Sequence, residues 1–252
     1  FVVRVNLLQF FIYAMAHAEL ATSASDRLLE LVGRLERQEG FDQVVAGLLA
    51  GQAATLDGVW GSSCALVAAS LARHAPGPLV VVCPHADDVD RLIDDFSLFS
   101  RLTPERFAAR ESLATDRILL DEVFGERVRV LKLLGGPAAP KVVVACIQGL
   151  LQPVPERETV ARQTRSLRVG EEVRLADLTR WLAENRFHNT SAVELPGEFS
   201  VRGGILDIFA PDWFDPVRVE LFGDQVESIR RFEVSSQRSL AKLDAVDITV
   251  LD

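Results

Sequence analysis

Residues 195–240 read LPGEFSVRGGILDIFAPDWFDPVRVELFGDQVESIRRFEVSSQRSL, and they decide the architecture of the C-terminal part of the chain. Three β-type runs are separated by the turn-rich PDWFDP at 211–216 and by Gly223-Asp224-Gln225, the pattern of a three-strand antiparallel meander. In the run 217–222 successive side chains point to opposite faces. Val217, Val219 and Leu221 therefore share one face, and Arg218, Glu220 and Phe222 share the other. A large ring lies on the charged face, and the turn signals on both sides argue against a one-residue slip of register. Arg202 is out of phase with Val201 and precedes two glycines that leave the backbone uncovered, so Arg202, Arg218 and Phe222 are expected to share an accessible surface. Aromatics beside arginine make protein-binding hot spots. The alternative is that Phe222 packs over a hairpin end.

Upstream of the meander the pattern is α/β. Residues 26–40 read as an exposed helix, and 41–49 as a second one with Phe41, Val44, Val45, Leu48 and Leu49 on a buried stripe. Helical periodicity recurs at 66–74, at 86–99 with Val89, Leu92, Ile93 and Phe96 inward, and at 116–134. Between these lie 79–83 (LVVVC), which reads as a fully buried parallel strand, and a second β-rich run at 141–147 that carries no charge after its first residue. Helices alternating with such strands imply a parallel sheet. Near Pro153-Val154-Pro155 the character changes, seven arginines falling between Arg157 and Arg186 amid acidic residues, with a helix at 172–185. The mixed signs describe a solvated face.

At 252 residues and 48% hydrophobic content, the chain is long enough for two packed domains. A net charge of −9 argues against a protein that coats nucleic acid, although a local basic patch remains compatible with it. Cys64, Cys83 and Cys146 lack zinc spacing and suit reduced core thiols of a cytoplasmic protein, and His17, His74, His85 and His188 form no metal-ligand pattern. The apolar start, FVVRVNLLQFFIYAMA, is interrupted by Arg4, Asn6 and Gln9, against the roughly 20 mostly apolar residues of a membrane-spanning helix. It reads as a docking helix or as sequence from an uncertain gene start, and with its opening on Phe1 instead of Met the chain is expected to be a piece of a longer protein.

The turn at 58–65 stands where a phosphate-binding loop would stand, before a helix N-terminus. Such a loop needs backbone amides around the phosphates, a lysine to reach them and a Ser/Thr hydroxyl for magnesium. Here Gly58 and Gly61 punctuate the turn, and Ser63, Cys64 and Ala65 occupy the last Gly, Lys and Ser/Thr positions of that pattern. Without the cation and the metal-binding hydroxyl, ATP hydrolysis has no evident electrostatic support. Leu119-Leu120-Asp121-Glu122 imitates a magnesium-holding acidic pair, but its neighbours keep helical spacing. No catalytic residue, metal site or cofactor site is assigned.

The stretches GEFSVRGGILDIF and VRVELFGDQVESIRRFEVSSQRSL, with Arg202 and Ser236-Gln237-Arg238-Ser239-Leu240, resemble the UvrB-homology module of the bacterial transcription-repair coupling factor family (Mfd), over about 41–252. The resemblance implies an N-terminal extension at 1–40, a degenerate P-loop helicase-like parallel-sheet domain at 41–155 and a small UvrA-binding-type α+β domain with the antiparallel meander at 156–247. Residues 248–252 would then start a return to the first domain. It implies a non-catalytic adaptor that recruits UvrA to stalled RNA polymerase in nucleotide excision repair, with Arg202, Arg218 and Phe222 as UvrA contacts. The longer protein would add RNA polymerase and double-stranded DNA as partners, with ATP and Mg serving its translocase. The competing reading is a UvrB-like ATP-dependent damage-recognition enzyme, or a remnant DNA-binding module. UvrB-like sequences carry an intact nucleotide loop and a tyrosine-rich hairpin, whereas the only tyrosine here is Tyr13.

Overall fold

The computed structural model describes residues 24–110, 117–137 and 139–250. Expectations for the apolar first sixteen residues and for the last two lie outside these. The described residues form two compact units, one within Phe1–Ala109 and Leu133–Gln152, the other within Arg110–Lys132 and Pro153–Asp252.

The first unit contains helices α1 (Ala24–Glu36), α2 (Phe41–Leu49), α3 (Ser62–His74) and α4 (Asp87–Phe99), and strands β1 (Leu79–Cys83), β2 (Glu105–Phe107) and β3 (Val142–Cys146). The strands form a parallel sheet in the order β1-β3-β2. The uncharged β3 lies at its centre with all five residues buried. Strand β1 departs from the expected full burial: Val80 and Val82 are 48% and 47% exposed, while Leu79 and Val81 pack into the core. An all-apolar run does not distinguish a strand covered on both faces from one covered on a single face, and the face of Val80 and Val82 is open among the described residues. Helix α1 is not the exposed helix expected, because Val32 and Leu35 are buried in the core shared with α3 and α4. Its last residue, Glu36, accepts from Ser70 Oγ at 3.3 Å and pairs with His74 and Arg73 of α3. Only Phe41 and Val44 of the α2 stripe are buried; Leu48 and Leu49 are exposed as the helix ends. The stretch Leu119–Glu122 lies in helix α5 (Arg117–Gly135), and the short helix α6 (Ile147–Leu151) follows β3.

The second unit adds helices α7 (Arg157–Arg162) and α8 (Leu175–Glu184) and strands β4 (Thr164–Arg168), β5 (His188–Asn189), β6 (Glu198–Arg202), β7 (Ile205–Phe209), β8 (Val217–Phe222), β9 (Gln225–Phe232), β10 (Ser239–Leu243) and β11 (Ala245–Thr249). The meander is larger than its three-strand signature. Strands β6 to β10 pair antiparallel in sequence order, and β5 adds in parallel beside β6 to complete a six-stranded sheet, while β4 pairs with β11 separately. One face of the large sheet, with Leu206, Ile208, Val217, Val219 and Ile229, packs with Leu178 and Leu182 of α8.

Contacts of Gly125, Arg129 and Lys132 tie helix α5 to this unit. A Cβ on Gly125 would overlap the Pro211 carbonyl, so the helix lies directly against the 211–214 loop. The Arg129 guanidinium stacks 4.0 Å from the Phe214 ring centroid. Near its end Lys132 Nζ donates to Asp212 Oδ2 at 2.7 Å and to Thr249 Oγ1 at 2.8 Å.

Candidate docking surface on the six-stranded sheet

Two hairpin ends meet at one corner of the sheet. In the β6–β7 turn Gly203 has φ 61°, and the following Gly204 lies so close to β8 that a Cβ would stand 2.6 Å from the Leu221 carbonyl oxygen. That approach is sealed by Leu221 N–H donating to the Gly204 carbonyl at 2.8 Å. The β8–β9 connection turns at Gly223, and a register shift between Glu220 and Leu221 leaves one extra residue on β9, a bulge that sharpens the local twist. Phe222, immediately before this turn, is 80% exposed and is not packed over the hairpin end.

The register places the sequence-derived residues on one face. Arg202 stands opposite Ile205, which stands opposite Glu220, while Asp207 stands opposite Arg218. Val217, Val219 and Leu221 are buried on the other face, as the alternation requires. With strands about 4.8 Å apart and about 3.4 Å per residue, the Cα atoms of Arg202, Arg218 and Phe222 lie roughly 12–14 Å from one another. The three therefore form one patch, with half-exposed Ile205 between Arg202 and the β8 side chains.

The two arginines differ in character. Arg202 is exposed, and its Nη2 donates to the Ser191 carbonyl at 2.7 Å, which also accepts from Ser200 Oγ at 3.2 Å. Arg218 is not the free docking cation that alternation alone suggests. Its Nε and Nη2 donate to Asp207 Oδ1 and Oδ2 at 2.7 and 2.8 Å, a bidentate pair with side-chain exposures of 24% and 6%. The hydrogen bonds to Asp207 hold the Arg218 proton above its already high value, against the opposing effect of burial. Beneath the guanidinium lies the Phe232 ring, 4.7 Å away at its centroid, and Nη2 also donates to Gln237 Oε1 at 3.1 Å. Among the described residues Nη1 makes no hydrogen bond.

Several residues of this surface were not singled out by the sequence reading. Asp207 carried a signal, since a carboxylate within the apolar strand ILDIF requires a partner, and hairpin register puts Arg218 opposite. Gln237 carried none: it holds φ 56°, with its N–H donating to the Glu233 carbonyl and its Nε2 to the Val234 carbonyl, which shapes the 233–238 turn over the sheet. Glu220 pairs with Arg230 and accepts from Ser228 Oγ at 2.7 Å. These bonds, that from Arg230 first, hold its carboxyl below the usual range.

At the turn of 58–65, Gly58 and Gly61 both take positive φ. Ser63 Oγ donates to the Trp60 carbonyl at 2.6 Å and accepts from Trp60 N–H at 3.0 Å, so the hydroxyl is consumed by its own turn. Burial pushes the Cys64 thiol up, and Ala65 is fully buried. A single bridge residue, Thr55, precedes this turn in place of the strand a phosphate-binding loop would follow. Among the described residues no cluster of three or more His, Cys, Asp or Glu is arranged to hold a metal, and no helix is long and apolar enough to cross a membrane.

Residues 166–250 match the UvrB interaction domain family. Across 86% of the chain, 34% of residues are identical to the transcription-repair-coupling factor of Myxococcus xanthus, the match covering 19% of that protein. The corresponding factor of Bacillus subtilis (strain 168) is 29% identical over 85% of the chain and 18% of its own length, and that of Escherichia coli (strain K12) 26% over 79% and 17%. The chain thus spans less than a fifth of the length of these relatives.

Proposed function

Residues 166–250 belong to the UvrB interaction domain family within a chain homologous to transcription-repair-coupling factors, and from this premise we propose that the six-stranded sheet is an adaptor surface that docks UvrA. The observation that carries the reading is Phe222, an 80% exposed ring on the charged face of a strand, flanked by Arg202 and by the Nη1 edge of Arg218. Burial of the ring supplies affinity, while the arginines, both held in fixed poses, orient carboxylates of the partner. The turn of 58–65 contributes no nucleotide chemistry in this reading, because its hydroxyl is spent on Trp60 and it offers no cation to phosphates. The longer protein would deliver the docked UvrA to stalled RNA polymerase, with ATP, Mg and double-stranded DNA serving its translocase.

The test is capture of UvrA by this chain and by Phe222→Ala and Arg202→Ala. Each substitution removes an exposed side chain, so the melting temperature stays within about 1 °C of the parent, while a hot-spot loss of about 2 kcal/mol weakens capture roughly 30-fold. Undiminished capture by both variants overturns the assignment of the surface.

A further inference from the structure

On the Phe222 face, like charges stand side by side across three strands. Arg218 is opposite Arg230, and Arg230 is opposite Lys242, so β8, β9 and β10 each contribute one cation to a single row that begins at Asp207 on β7. Directly opposed residues hold their Cβ atoms about 5 Å apart, and like charges at that spacing are destabilising. Two of the three are neutralised within the sheet, Arg218 by Asp207 and Arg230 by Glu220. Lys242 is exposed and has no carboxylate partner among the described residues, and the buried Nε of Arg230 has no hydrogen-bond partner there. At the other flank, Arg202 on β6 bonds only a neutral carbonyl among the described residues. A chain of net charge −9 thus presents a sheet face with an uncompensated cation at either side.

We propose that the docking surface extends from Phe222 across β9 to β10, where Lys242 receives an acidic segment of the protein partner while Arg202 receives a second carboxylate. The two cations are four strand spacings apart and offset by two residues along the strands, about 20 Å between Cα atoms, which sets the separation of the acidic groups they fit. The proposal rests on the docking role of this face proposed above. It assigns the two ends of the surface different work: Phe222 slows dissociation by being buried, and the exposed Lys242 speeds association by steering.

The experiment measures association and dissociation rates of the 252-residue chain with UvrA, and its binding to a short DNA duplex, for the parent and for Lys242→Glu, Lys242→Gln and Phe222→Ala. Lys242→Glu is expected to slow association with UvrA about tenfold with little change in dissociation, Lys242→Gln less so, and both to flatten the dependence on salt. Lys242→Glu rates within twofold of the parent, together with a Phe222→Ala variant weakened roughly 30-fold, overturn the extension and leave the docking reading standing. Undiminished binding by both overturns both. A Lys242→Glu variant that loses duplex DNA but keeps UvrA makes the row a nucleic-acid contact and overturns the proposal.

Discussion

Arg218 sits in the proposed docking surface and also closes a largely buried ion pair with Asp207. Alternation along β8 places it on the solvent face, and there the sequence reading stops, because strand periodicity identifies a face and not a partner. The partner is Asp207, four residues before the PDWFDP turn and opposite Arg218 in the β7–β8 register. Replacing Arg218 with Ala leaves a carboxylate that is 6% exposed without its cation. Breaking such a pair from one side costs about 3 kcal/mol, whereas removing both partners costs less than the sum. Urea unfolding of Arg218→Ala, Asp207→Ala and the double variant should therefore show strong coupling. Arg218→Ala is consequently a poor probe of docking: weakened capture would mix a lost contact with a loosened sheet, which is why Phe222 and Arg202 carry that test. An additive cycle would mean that the two side chains do not sustain one another.

Elements with strong periodicity were legible in the sequence: the helices at 41–49, 87–99 and 117–135 and the strands at 79–83 and 142–146 all form. What each element packs against was less legible. Helix α5 follows β2 and precedes β3 of the first unit in sequence, yet its body joins the second unit through Gly125, Arg129 and Lys132, none of which shows its partner from local pattern. Burial pushes the Asp212 carboxyl above its usual value, against the pull of Lys132. A folded-state value raised in this way gives stability that is fully present below the unfolded value of about 3.9 and is lost as pH rises through the higher folded value. Lys132→Met removes the opposing pull and raises Asp212 further. The variant should lose about 3 kcal/mol near neutral pH, where Asp212 is left as an unpaired buried charge, and recover part of it on acidification as Asp212 takes up a proton. Denaturant melts of parent and variant across pH 4–8 check the sign; a deficit that grows toward low pH would contradict it.

At the scale of the whole molecule, each unit pairs a legible fold with one site whose chemistry depends on side-chain partners. In the second unit the sequence gives the aromatic on the charged face, and three-dimensional register supplies Asp207, Glu220 and Gln237 around it. In the first unit the sequence gives the missing cation and hydroxyl of the 58–65 turn, and the structure supplies the physical consequence. Ser63 closes on Trp60, Ala65 is a core residue, and the Cys64 thiol, pushed up by burial, stays neutral where a phosphate would need positive charge. An amide nest at a helix start attracts anions, but without a lysine or a magnesium ligand the triphosphate is left with little to offset its desolvation. Calorimetric titration of this chain with Mg-ATP is therefore expected to show no saturable binding, whereas duplicate titrations giving micromolar affinity would return the UvrB-like enzyme reading to the first unit. The outcome separates two uses of one architecture, since an adaptor needs the first unit only as a folded support, while an enzyme needs its turn to hold phosphates.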